Sequence, residues 1–149
     1  MAVEMTYEYP NAERLLSRII ENDARPIIIL NGEKTSRVCL YENLFSDLGQ
    51  VLKMSFYDFM SEYVYSIKKQ QELLDCSYIL IDDVKNLRGL SATLKILSNF
   101  IDNMVLNNVS VIFMGENTTY DMREVLHIIG SKIHYIIKIE PERNNSNEI

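Results

Sequence analysis

Two short stretches of the sequence carry residues that could handle a phosphorylated ligand. The first, Gly32-Glu33-Lys34-Thr35, follows the apolar run Ile27–Leu30. A lysine and a hydroxyl placed just after a buried strand, at the mouth of a helix, could neutralise a polyphosphate and hold its Mg²⁺. The second, Asp82-Asp83, follows the apolar run Tyr78–Ile81. Paired carboxylates there could hold Mg²⁺ through water and orient a hydrolytic water. Each stretch also has a plainer reading. Lys34 can be an exposed first-turn residue, Thr35 a helix N-cap, and the aspartates solvated acids on the rim of a sheet.

The spacing weighs against a working phosphate cradle. The full motif, G-x-x-x-x-G-K-[ST], curls successive backbone N–H groups around the β-phosphate. Here the first glycine position falls on Ile28, inside the apolar run, and Glu33 takes the second. Asn31, Gly32, Glu33 and Lys34 are left to span the turn before Thr35. One glycine offers one free turn, and Glu33 sets a carboxylate where phosphate would lie. The balance favours the scar of a nucleotide site.

These spots need elements to position them. Ala12, Leu15, Leu16, Ile19 and Ile20 recur with helical spacing, with Asn11 as N-cap. Thr35 to about Leu48 reads as a helix that stops at Gly49, and Val51–Ser55 as a short strand. Phe56, Phe59, Met60, Tyr63, Val64 and Ile67 form an amphipathic helix, and Leu94, Leu97, Phe100, Ile101, Met104 and Val105 a longer one. Val109–Met114 and Ile133–Ile139 are strands, with a helix over Tyr120 to Ile129 between them. Runs buried on both faces, alternating with helices, predict a three-layer α/β/α sandwich around a mostly parallel five-stranded sheet. Both chemical stretches then fall at strand C-termini, where such sheets bind ligands. A single domain over 1–140 and a polar tail over 141–149 are expected.

Composition narrows the function classes. A formal charge of −6 over 149 residues argues against direct DNA binding, which needs a basic face. The opening MAVEMTYEYP has no basic n-region or long apolar run, and no apolar run could span a bilayer, so a cytoplasmic protein without membrane contact is expected. Cys39 and Cys76 sit apart in apolar contexts and read as thiols. His127 and His134 have no carboxylate or cysteine at ligand spacing, so no metal site is expected from them. Tyr7, Tyr9, Tyr57, Tyr63 and Tyr65 would suit a protein interface. A receiver-like signalling module would carry its acidic pair after the first strand, not after a central one.

The order of these pieces resembles the nucleotide-binding AAA+ domain of DnaA-type bacterial replication initiators and their short regulatory homologues. Tyr9-Pro-Asn-Ala12 is similar to that family's opening segment, and Pro26–Gly32 to its first core strand. Lys53–Met60 is similar to its second strand and helix, and Leu80-Ile-Asp-Asp-Val84 to its Walker B segment. Val111–Glu116 resembles the sensor-1 strand, and Ser131–Glu142 the Ser-Arg-Phe segment and last strand. The resemblance covers about residues 7 to 142. Its departures shape what it implies. The Walker A loop is shortened, and the arginines expected near the Ser-Arg-Phe segment read Ile128, Gly130 and Lys132. The helical lid with its sensor-2 arginine, and the helix-turn-helix DNA reader, are not in this sequence.

The resemblance therefore implies an AAA+ core without the lid: a non-catalytic pseudo-ATPase acting as an adaptor or regulator in DNA replication. Gly32, Lys34, Thr35, Asp82 and Asp83 would be a vestigial nucleotide site, with no cofactor expected. The alternative is a weak switch or residual NTPase that binds ATP or ADP with Mg²⁺, Asp82 holding the metal. Expected partners are a replication initiator, a helicase-loading factor or a sliding clamp, with a homodimer as a further expectation. No clamp-binding peptide of the Gln-x-x-Leu/Phe type is visible at either end.

Overall fold

The computed structural model describes residues 2–22, 25–85 and 91–141. The expected polar tail, past Pro141, lies outside the described residues. Among the described residues six strands form one sheet: β1 (Val3–Glu8), β2 (Ile27–Asn31), β3 (Val51–Ser55), β4 (Tyr78–Asp82), β5 (Ser110–Gly115) and β6 (Tyr135–Glu140). Their spatial order is β1-β6-β2-β5-β4-β3, and every pairing is parallel. The sheet thus has six strands where five were expected, and is parallel throughout. The extra strand is β1, whose Val-Glu-Met-Thr-Tyr-Glu alternates apolar and polar residues strictly. That is the pattern of an edge strand with one wet face, and it contrasts with the continuous apolar runs that mark the central strands.

Those central runs are buried on both sides because alternate residues enter different cores. Ile27 and Ile29 of β2, Ile79 and Ile81 of β4, and Val111 and Phe113 of β5 share one apolar cluster. Ile28, Leu30, Leu80, Ile112 and Met114 share the other. Helix α1 (Asn11–Glu21) and helix α2 (Lys34–Leu40), which widens into a π-helical turn at Tyr41–Phe45, cover the second cluster through Ala12, Leu16, Ile19, Leu40 and Phe45.

The first cluster is covered by α3 (Phe56–Asp58, continued by a π-helical turn at Phe59–Tyr63), α5 (Ser91–Leu106) and α7 (Arg123–Ile129), while α4 (Ile67–Gln71) follows the π-helical turn in the chain. A short α6 (Thr118–Asp121) precedes α7. Phe59 anchors that layer, its ring edge-on to Phe100 at 4.8 Å and to Phe113 at 6.2 Å. Among the described residues no helix is long and apolar enough to cross a membrane.

The direction of each connection explains the layering. Crossovers β1–β2 and β2–β3 run one way along the sheet and carry their helices on one face. The connections from β3 to β6 run the other way and carry theirs on the opposite face. A single crossover hand requires this. Neighbouring β2 and β5 therefore send their next helices to opposite faces, which opens a crevice at their C-terminal ends.

Local details differ from expectation at two turns. Asn11 is the first helical residue, with Pro10 in the cap position. Gly49 does not terminate a helix, and no described glycine has positive φ. The left-handed residue before β3 is Gln50 (φ 63°), whose carbonyl accepts Ser77 N–H at 2.8 Å and whose side chain accepts the Ser77 hydroxyl at 2.9 Å. Cys39 and Cys76 are free, half-buried thiols.

Candidate functional site

The β2–α2 connection is only Gly32 and Glu33. Gly32 donates its N–H to the Gly115 carbonyl at 2.9 Å, so the only glycine of the turn is tied to the neighbouring strand. Glu33 occupies the N-cap position in extended conformation, with no capping bond from its side chain. Thr35 is thus inside the helix rather than at its cap. Lys34 and Thr35 are both exposed on the first turn.

Across the crevice, Asp82 ends β4 and Asp83 follows with φ 58°. Between the two stretches lies Arg37, a residue that sequence reasoning did not single out. Its side chain is 5% exposed. Nε donates to Asp82 Oδ1 at 2.8 Å, one terminal nitrogen to Asp83 Oδ1 at 3.0 Å, and the other to the Gly32 carbonyl at 2.7 Å. One guanidinium thus spans the end of β4 and the turn after β2. Lys53 of β3 lies 4.0 Å from the second Asp82 oxygen, and its ammonium sits 4.6 Å above the Tyr41 ring. Asp82, 15% exposed, has a cation on each oxygen. Two carboxylates and two cations balance inside the cluster.

The end of β5 is stitched to both neighbours. Val84 N–H donates to the Met114 carbonyl at 3.0 Å, and the Thr118 hydroxyl to the Leu30 carbonyl at 2.7 Å. Asn31 accepts from Thr119 N–H at 2.8 Å and donates to the Thr119 hydroxyl at 2.8 Å. Gly115 is required here: a Cβ would stand 2.9 Å from the Val84 carbonyl oxygen and 3.0 Å from the Thr118 oxygen. Beside this seam a cavity of about 520 Å³ is lined by Lys34, Arg37, Asp83, Lys85, Glu116 and Asp121, among others. Thr35 does not line it.

Of the residues expected from sequence, Gly32, Asp82 and Asp83 are drawn together by Arg37. Lys34 reaches the same cavity, and Thr35 stands apart. Arg37, Gly115, Thr118 and Thr119 were missed. For Arg37 a signal existed: it shares a helix face with Leu40, three residues on, and a cation on a core-facing stripe requires a buried partner. His134 clamps β2, accepting Ile27 N–H on Nδ1 at 2.9 Å. Among the described residues no group of three or more metal-ligating side chains occurs.

No protein-family model matches the chain, and no curated protein matches it in sequence. Solved structures do match in fold. AMPPCP-bound DnaA from Aquifex aeolicus superposes with a TM-score of 0.62 at 20% identity, over 87% of this chain and 46% of that one. DnaI superposes at 0.58 with 12% identity, over 91% and 97%, and the DnaC helicase loader at 0.56 with 14%, over 87% and 89%. The chain spans about half the length of the DnaA structures it matches. The fold is the parallel α/β core seen in these DnaA, DnaI and DnaC structures.

Proposed function

We propose that this chain is a DnaA-like pseudo-ATPase that acts as a protein-interaction adaptor or regulator in DNA replication. The observation that carries the reading is the Arg37 guanidinium, which meets both Asp82 and Asp83 where a nucleotide site would need Mg²⁺. A divalent ion there is held by carboxylates and phosphates together. Its entry would displace Arg37 from both aspartates and leave a nearly buried cation with only the Gly32 carbonyl as partner, which is strongly unfavourable. The phosphate side offers no compensation. A connection of two residues, with Gly32 N–H already bonded to Gly115, presents no converging set of amides. The residues present do not fit a Mg·nucleotide, and no hydrolytic step is assigned to them.

What remains useful is surface. Tyr57, Tyr65 and Ile67 are 78%, 60% and 73% exposed, the kind of aromatic and aliphatic groups that anchor protein interfaces. The net charge of −6 favours a protein over DNA. A replication initiator, a helicase-loading factor or a sliding clamp is the proposed partner class, by analogy with the initiators and loaders that share the fold. Titration calorimetry with ATP and ADP plus Mg²⁺ tests the pseudo-ATPase part, and no heat at millimolar nucleotide is expected. Purified initiator and loader, titrated in turn, test the adaptor part. Binding that is indifferent to nucleotide is expected for at least one of them.

A second reading, a weak Mg·nucleotide switch, draws on the cavity bordered by Lys34 and Lys85. Micromolar binding that disappears in Asp82→Ala would favour it over the first.

A further inference from the structure

The two edges of the sheet are built differently. On the β3 edge, Lys53 stands at the middle of the strand, the residue type that keeps open edges from pairing. On the β1 edge, Val3–Glu8 contains neither lysine nor proline. Its pairing with β6 runs without a bulge from Val3 opposite Tyr135 to Glu8 opposite Glu140. Val3 and Tyr7 are 52% and 39% exposed. We propose that β1 is a self-association edge: two copies of this chain pair β1 to β1, antiparallel, about a two-fold axis through Met5.

Backbone geometry limits the registers available. In a parallel ladder, one residue directs both its N–H and its C=O to the same neighbour, and the next residue directs both away. Val3 N–H donates to the His134 carbonyl at 3.0 Å and Tyr9 N–H to the Glu140 carbonyl at 3.1 Å. Odd-numbered residues therefore face β6, while Glu4, Thr6 and Glu8 point their backbone groups outward. An antiparallel pair exchanges its bonds only between residues that both point outward. This excludes an axis between adjacent residues and requires one through a residue.

Charge then selects among those axes. An axis through Glu4 stacks that carboxylate on its own copy, and one through Thr6 sets Glu4 opposite Glu8. Like charges directly opposite are unfavourable. An axis through Val3 or Tyr7 leaves much of the strand unpaired. An axis through Met5 sets Glu4 opposite Thr6, Val3 opposite Tyr7, and Met5 opposite itself. All the apolar side chains then meet on one face, and the outward N–H and C=O groups of Glu4 and Thr6 are exchanged between the two copies. The dimer does not depend on whether the nucleotide crevice binds anything.

Sedimentation velocity on the full chain, across a concentration series, tests it. Wild type is expected to dimerise reversibly. Thr6→Pro removes an outward N–H without touching the β6 ladder, so circular dichroism should be unchanged while association weakens by about ten-fold or more. Thr6→Lys sets a cation opposite Glu4 and should tighten the dimer by about three-fold or more. With the axis through Thr6 the same change would set lysine against lysine. A wild type that stays monomeric at its highest soluble concentration overturns the proposal. So does a dimer that a folded Thr6→Pro leaves intact, or a Thr6→Lys that fails to tighten it.

Discussion

The C-terminal ends of β2 and β4 border one crevice, carry the two stretches proposed as a vestigial nucleotide site, and are built differently. At β4, the strand, the adjacent aspartates and their position at the crevice are all in place. At β2, the turn is only Gly32 and Glu33, with Lys34 and Thr35 exposed on the helix beyond. Arg37 accounts for how both can coexist. Two adjacent carboxylates without a neighbouring cation would be a pocket of uncompensated charge. A guanidinium from α2 supplies a cation from within the chain and binds the Gly32 carbonyl as well. The difference teaches that a carboxylate pair after a strand can be paired by a cation from within the chain, so its presence in a sequence does not by itself report nucleotide binding.

Mutations can break or sharpen that contrast. Arg37→Met should have the largest effect, because it leaves Asp82 largely buried without its closest cation. A loss of about 3 kcal/mol is expected by urea denaturation, at the low end for a buried pair since Asp83 is well solvated. Arg37→Lys keeps the charge but cannot reach Asp82, Asp83 and Gly32 together, and should recover less than half of that loss. A neutral Arg37→Met would mean that the aspartates do not need their internal cation.

Gly115→Ala comes next, at about 2 kcal/mol, because the clash is with backbone that other bonds hold in place. Gly32→Ala, the glycine that draws the eye in the sequence, should cost only about 0.5 kcal/mol, since its Cβ would meet the Ile139 side chain at 3.4 Å. Equal costs would remove the asymmetry between the two strand ends. The smallest effects are expected for Lys34→Ala and Thr35→Ala, within about 0.5 kcal/mol of wild type in the same denaturation assay. Lys34→Ala should be equally silent in a nucleotide titration.

Much of the fold was legible in the sequence because its central strands are apolar without interruption. Ile27–Leu30 and Tyr78–Ile81 read as strands buried on both faces, and they fixed the place of Asp82-Asp83. The edge strand β1 was overlooked although Val3, Met5 and Tyr7 alternate with Glu4, Thr6 and Glu8. Half-exposed alternation is a quieter signal than an apolar run. The turn at Gln50 hid for another reason: Gly49 is the better left-handed residue by intrinsic preference, and hydrogen bonds to Ser77 override it. At the site, the sequence placed the acids but not their cation. Arg37 and Asp82 are linked only by tertiary pairing across 45 positions. The stitching of Asn31, Thr118 and Thr119 was likewise beyond local pattern, since it depends on β2 and β5 lying side by side.

The account rests on Arg37 standing where a metal and its nucleotide would otherwise act. Thermal unfolding of wild type and Asp82→Ala, each with and without saturating Mg·ATP, tests that most directly. Ligand bound at a hundred times its dissociation constant adds about 2.7 kcal/mol to stability, enough to raise the melting temperature by several degrees. The account predicts superimposable curves for each protein with and without Mg·ATP. A wild type that melts several degrees higher with Mg·ATP, while Asp82→Ala does not, would contradict it.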